Sequence, residues 1–361
     1  MRASRLALAL AATALTALAA VPTLAAAQDR PAAPGYKAPR NAWGQPDLQG
    51  VWTNATITPL ERPAEFSSLV IPDAQARAME QANASQNAEG LKPTDPNAKV
   101  TDLPVDCGRG FRGTDCGYNS FWVDPGTRLI RIGGEARSSI IVDPPTGKLP
   151  ALTPEARQRL AQRFGRNNPR AFDGPESRSL GERCILSFGT SAGPPMLPLL
   201  YNNTYQIVQN KDEIAILVEM VHDVRIIRLN AKPLPSSVRQ WMGDSIGRWE
   251  GDTLVVETTN MRPEQGLRGA SGGTLKVVER FTRVSPTQIL YRFTVEDPAT
   301  YVAPFTGEVA MNATKGPIYE YACHEGNYAL EGILAGARAL EKEGRTPTSD
   351  PVADLQGEGG L

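Results

Sequence analysis

From Tyr205 onward the chain alternates short β-forming runs with turns and places no helical pattern between them. Tyr205-Gln206-Ile207-Val208-Gln209 precedes the turn Asn210-Lys211-Asp212, and Glu213 to Met220 and Val224 to Leu229 follow. Arg248 to Thr258 reads as a tight hairpin about Gly251-Asp252, a pair suited to a two-residue turn. Leu275 to Val284 and Gln288 to Glu296 flank Ser285-Pro286-Thr287, and Phe305 to Met311 and Ile318 to Cys323 complete the series. Consecutive strands joined by turns pair with their neighbours, whereas parallel strands need long crossovers, usually helical. The fold class is therefore mainly β, an antiparallel meander or barrel with a few short helices.

The helical signals are few. Ile71 to Ser85 fits a helix, with Pro72 acceptable at its start. Thr153 to Phe164 fits a second, with Thr153 as N-cap, Pro154 at the first helical position and Glu155 in the first turn. A C-terminal helix spans about Asn327 to Glu343, where Leu330, Ile333, Leu334, Ala337 and Leu340 recur on one side and are expected to pack on, or plug, the sheet. Arg137 to Val142 is a β-like run ending at the turn Asp143 to Gly147. Asn87 to Pro104 and Asn167 to Arg183 read as irregular. The 30 prolines and 33 glycines favour ordered loops over a helical bundle.

The N-terminus reads as an address. Arg2 and Arg5 precede an apolar run from Leu6 to Ala20, Pro22 breaks it, and Ala25-Ala26-Ala27 offers an A-x-A cleavage site, the layout of a signal peptide. The expected organisation is signal 1–27, a loose leader 28–46, one β-rich domain 47–343 with loops and helices inserted at about 61–183, and a disordered tail 344–361. No later stretch is apolar enough to cross a bilayer as a helix, and the expected location is the periplasm or the exterior. The formal net charge of −1 leaves no broad basic field for nucleic acid. An exported chain with 4 cysteines suggests two disulfides, for which three pairings exist. The preferred one is Cys107–Cys116, closing a Gly-rich loop, with Cys184–Cys323. The C-x-x-C spacing of a metal site is absent.

Only 2 histidines are present, His222 and His324, each beside a carboxylate, Asp223 and Glu325. Histidine suits proton transfer near neutral pH, and a carboxylate fixes its tautomer. Sequence neighbours on a strand face opposite ways, so the partner of each histidine need not be its neighbour. Arg239 to Glu250 is dense in functional-looking groups. Arg239 and Arg248 are candidates to hold an anionic group, and Trp241 and Trp249 to stack on a ring. Tyr201 and Asn203 end a rigid Pro-rich stretch and are candidates for a pocket rim. Both tryptophans equally suit core anchors, with the charges paired among themselves. The motifs G-x-S-x-G, G-x-x-x-x-G-K-[ST] and H-E-x-x-H are absent, which removes the common serine-hydrolase, nucleotide and zinc-protease readings.

Gln45 to Thr53, Gly181-Glu182-Arg183-Cys184, Arg239 to Thr259 and Tyr321 to Tyr328 resemble a family of secreted bacterial proteins whose members carry no functional assignment. The resemblance covers most of the chain after the signal and implies export and a shared β fold. Gly50-Val51-Trp52 is also similar to the G-x-W that opens lipocalin-type barrels, whose Trp closes the barrel floor. The insertion from Glu61 to Arg183 departs from that small-barrel pattern. The expected function is an exported enzyme acting on a small hydrophobic or aromatic molecule by histidine–carboxylate chemistry, as a lyase, isomerase or hydrolase without a cofactor. The alternatives are a periplasmic small-molecule-binding protein without turnover, and a metal-dependent enzyme holding zinc or iron on both histidines and Glu325.

Overall fold

The computed structural model describes residues 35–90, 124, 126–164, 170–187, 193–265, 267, 273–345 and 347. The expected signal (residues 1–27), residues 28–34 of the expected leader, the Cys107–Cys116 loop and all but one residue of the tail after 345 lie outside that set. So do the side chains at 89, 90, 163, 164 and 222. In chain order the elements begin with β1 (Gly50–Thr53), β2 (Val70–Ile71), α1 (Asp73–Gly90), β3 (Arg131–Ile132), β4 (Glu135–Arg137), β5 (Ile141–Asp143) and α2 (Pro154–Phe164). They continue with β6 (Thr204–Gln209), β7 (Glu213–Val218), β8 (Val224–Leu229), β9 (Asp244–Glu250) and β10 (Thr253–Thr259). β11 (Lys276–Ser285), β12 (Gln288–Glu296), β13 (Phe305–Ala313) and α3 (Tyr328–Lys342) complete the chain.

Nine strands close into a barrel in the order β1, β6 to β13, with β13 pairing back onto β1. The expected hairpins are present: Gly251 turns at φ +60°, a conformation glycine adopts without a Cβ clash. One junction departs from the meander. β8 and β9 run parallel, Ile227 beside Ser245, because residues 230–243 carry the chain back before it re-enters the sheet. Asp244 anchors that return by accepting from Arg228 Nη2 and from the Leu234 amide, each at 2.7 Å. A small sheet β2-β4-β3 packs with α1 around Ile71, Ala76, Leu129 and Ala136.

Alternation along the strands decides what fills the barrel. Trp52, Tyr205, Phe281, Tyr291, Phe293 and Phe305 are fully buried. Phe293 lies opposite Gly307 on β13, and a Cβ on Gly307 would stand 2.3 Å from its ring. Glycine there is a space requirement set by the aromatic ring. Among these rings sits an ion pair. Arg225 bonds both oxygens of Glu279 and donates to Ser245 Oγ (3.2 Å) and Thr258 Oγ1 (3.1 Å). The Tyr291 hydroxyl donates to Glu279 at 2.8 Å and accepts from the Met196 amide at 2.9 Å. Burial works against the Arg225 charge, and Glu279 outweighs it, holding the guanidinium above its ordinary pKa. Burial pushes the Tyr291 phenol well above its usual range, so it stays a donor. Met196, wholly buried, seats the segment 193–197 on this interior, with its carbonyl accepting from Asn54 Nδ2 at 3.1 Å.

Several expectations shift. The run Arg137 to Val142 is two strands. Its residues leave the small sheet at Arg137 and join the barrel at Ile141, while Ser138 and Ser139 donate to the Ser68 and Ile141 carbonyls. Ile318 to Cys323 forms no strand, because β1 already closes the barrel and leaves β13 no free edge at its C-terminal end. Part of the leader is a hydrogen-bonded turn, with Asp47 N donating to the Pro39 carbonyl at 2.8 Å. Thr153 caps α2 as expected, accepting from the Ala156 amide at 3.1 Å. α3 buries only Ala337, and Arg338 ties it to the Phe172 carbonyl at 2.8 Å, so it neither enters nor plugs the barrel.

Gly307→Ala tests the packing. Forcing Phe293 off its position is expected to cost about 1–3 kcal/mol. It should read as a lowered urea midpoint at unchanged m-value.

Candidate functional site

A cleft lies on the outer flank of the barrel, where β1 meets β6. The alternation that turns Trp52 and Tyr205 inward turns Thr53 and Thr204 outward, and these two are directly paired. Chain segments gather over them. Asn202 takes φ +54°, a left-handed conformation that asparagine tolerates, and swings the chain into β6. Asn203 fixes that turn. Its Oδ1 accepts from the Leu199 amide, and its Nδ2 donates to the Leu199 carbonyl and to the Asp124 carbonyl at 3.1 Å.

Glu219 follows β7. Its amide donates to Thr204 O at 3.0 Å, Oε2 accepts from the Thr204 amide and Oε1 from the Tyr319 amide, both at 3.2 Å. One carboxylate therefore joins the start of β6 to the segment after β13. The turn beyond it contains Val221 at φ +64°. A β-branched residue is strained there. Thr314 donates to the Val51 carbonyl at 3.0 Å, and residues 314–322 then cross the flank. Tyr321 lies parallel to Tyr201, centroids 6.4 Å apart and planes within 7°.

Cys184–Cys323 fastens the far end of this segment across 139 residues. The Cys184 loop is itself locked. Burial pushes the Glu182 carboxyl up, but donors from Arg178, the Ser179 amide and the Ser179 hydroxyl outweigh it and hold the pKa below the usual value. Asn327 Nδ2 bonds the Glu182 carbonyl at 2.7 Å and Cys184 Sγ at 3.4 Å. The resulting cleft holds about 830 Å³.

Of the candidates named from sequence, Tyr201 and Asn203 line the cleft. His222 closes the turn three residues after Glu219, and Asp223 follows with its carbonyl accepting from Val218 N at 2.8 Å. His324 and Glu325 are exposed in the turn before α3, just beyond Ala322. The other four lie elsewhere. Arg248 is exposed on the barrel exterior, bonded to Glu250 and Glu257. Trp249 is half-buried and packs against the barrel core. Trp241 lies under the Arg262 guanidinium, 4.3 Å from its ring centroid, and Arg239 donates to the Met261 and Gly273 carbonyls. Their charges and rings are used internally. Asp124, Glu219, Tyr319, Glu320 and Tyr321 also line the cleft and were not named as site residues. Glu219 carried one signal: an acid ending the apolar run Ile214 to Val218. Among the described residues no three His, Cys, Asp or Glu side chains cluster as metal ligands. No described helix is long and apolar enough to cross a membrane.

Compared with family models, curated proteins and solved structures, the chain matches none.

Replacing Cys184 and Cys323 together by alanine is expected to lower stability by about 2–5 kcal/mol, because the cross-link restrains a long loop of the unfolded chain. Amide exchange over residues 317–327 should accelerate in the same variant. Unchanged exchange there would show that Glu219 and Tyr201 hold the segment without the cross-link.

Proposed function

We propose that this protein is exported and binds a small hydrophobic or aromatic molecule in the cleft on the barrel flank. The cleft itself carries the reading. Its volume of about 830 Å³ falls within the roughly 300–1,000 Å³ of small-molecule sites, which are concave and ringed by aromatic and polar groups. The barrel interior, filled by aromatic side chains and the Arg225–Glu279 pair, is not the site. Export is supported by the signal-like N-terminus and by the Cys184–Cys323 disulfide, since disulfides persist in oxidising compartments. A mature N-terminus at Gln28, read by intact mass, checks it.

A metabolite screen by thermal shift tests the binding. A ligand at 100 times its Kd stabilises by about 2.7 kcal/mol. Ala322→Trp, placed at an exposed lining position, should fill the cleft and abolish the shift while leaving the unliganded melting temperature in place. A shift that survives in this variant would move the site elsewhere.

A second reading adds turnover by histidine–carboxylate chemistry. Strain in a turn is often kept where function requires it, and Val221 is strained in the turn that runs from the cleft-lining Glu219 to His222. In this reading His222 or His324 carries the proton and Asp223 or Glu325 tunes it. Ligands from the screen should then be converted by the wild type and left intact by His222→Ala or His324→Ala, with mass spectrometry as the readout. Conversion retained in both variants would end this reading and leave binding alone.

A further inference from the structure

Among the described residues, charge on the cleft wall has one sign. Asp124, Glu219 and Glu320 line it, and no Lys or Arg does among the described residues. Glu219 is the most telling of the three. It keeps 5 % of its surface exposed. Among the described residues its oxygens accept only the Thr204 and Tyr319 amides, and no cation pairs with it. Neutral donors recover part of what a carboxylate loses on leaving water, and a facing positive charge recovers more. Two other buried glutamates of the barrel strands behave differently: Glu279 and Glu308, buried still deeper, are each matched by an arginine.

Aromatic groups supply the second half of the argument. Tyr201, Tyr319 and Tyr321 share the cleft with those carboxylates. Tyr201 and Tyr321 are parallel, and Tyr319 is 67 % exposed without covering any core. The face of an aromatic ring attracts a cation by about 0.5–2 kcal/mol, more as water is excluded. Carboxylates and tyrosines gathered at one concave surface therefore favour a positive group carried on an apolar body. We infer that the ligand of this cleft is an organic cation, an amine or a quaternary ammonium. The inference rests on the binding reading above and names the chemical class for that site.

Calorimetric titration of the purified protein with choline, with benzyltrimethylammonium and with dimethylbutanol, the uncharged carbon isostere of choline, tests it. Choline is expected to bind at least about tenfold tighter than dimethylbutanol, a difference of about 1.4 kcal/mol. Added salt should weaken choline alone. Glu219→Gln should weaken choline several-fold and leave dimethylbutanol unchanged. Glu320→Gln, at an exposed position that carries no core packing, should act in the same direction and covers the case in which Glu219→Gln fails to fold. Equal binding of choline and dimethylbutanol, both lost in Ala322→Trp, would overturn the cation class and keep the cleft as a binding site. Failure of choline and benzyltrimethylammonium to bind would also overturn it, with the metabolite screen then deciding the cleft separately.

Discussion

The barrel depends on β1, four residues hydrogen-bonded on both sides. Gly50 to Thr53 pair with β6, and Trp52 and Thr53 also pair with β13. Without this strand, β6 and β13 would each present a row of unpaired amides and carbonyls, the condition that favours aggregation at sheet edges. Trp52 reinforces the closure from inside, its indole donating to the Leu48 carbonyl at 2.9 Å and its ring lying under Arg283. Gln209 holds the approach to β1 by accepting from the Leu48 amide and donating to the Pro46 carbonyl.

Closure has opposite consequences for the two sides of the wall. Inside, alternate residues of nine strands converge, and large rings leave little room for anything but the Arg225–Glu279 pair and its hydroxyl neighbours. An ion pair at that depth survives because each charge finds both a partner and further hydrogen bonds. Outside, the closed sheet offers no edge to the chain that leaves β13. Residues 314–322 therefore cross the flank as an irregular strap, secured by Glu219 at one point and by Cys184–Cys323 at its end. The space beneath that strap is the cleft. Its existence follows from the barrel being complete one strand earlier than the sequence pattern suggests.

The strap also explains why residues far apart in sequence share one site. Asp124 arrives through the Asn203 side chain, Tyr201 through the turn into β6, Glu219 through the turn out of β7, and Tyr321 through the strap. None of these segments is a regular element where it lines the cleft. Each is positioned by hydrogen bonds to a strand end, so the rigidity of the site comes from the barrel and its chemistry from the connections.

The strands from Tyr205 to Met311, the Gly251-Asp252 hairpin and the Thr153 cap were legible in the sequence, because each depends on local periodicity or turn chemistry, whereas an even number of cysteines left three pairings open and the fold selected Cys184–Cys323. Tyr201 and Asn203 were legible as rim residues for a similar local reason, the rigid turn before β6. The rest was not. Whether Ile318 to Cys323 pairs as a strand depends on which edge is free, and the edge is taken by a strand more than 250 residues earlier in the chain. Whether Arg248 and Trp249 reach a ligand depends on which partners face them across the sheet, and those are Glu257 on β10 and the core. By itself the sequence determined the β-rich composition of the domain and the order of its hairpins. Only the tertiary structure decided where the barrel closes, and therefore that the cleft lies outside its wall. Closure is a contact between distant segments, and no local pattern encodes it.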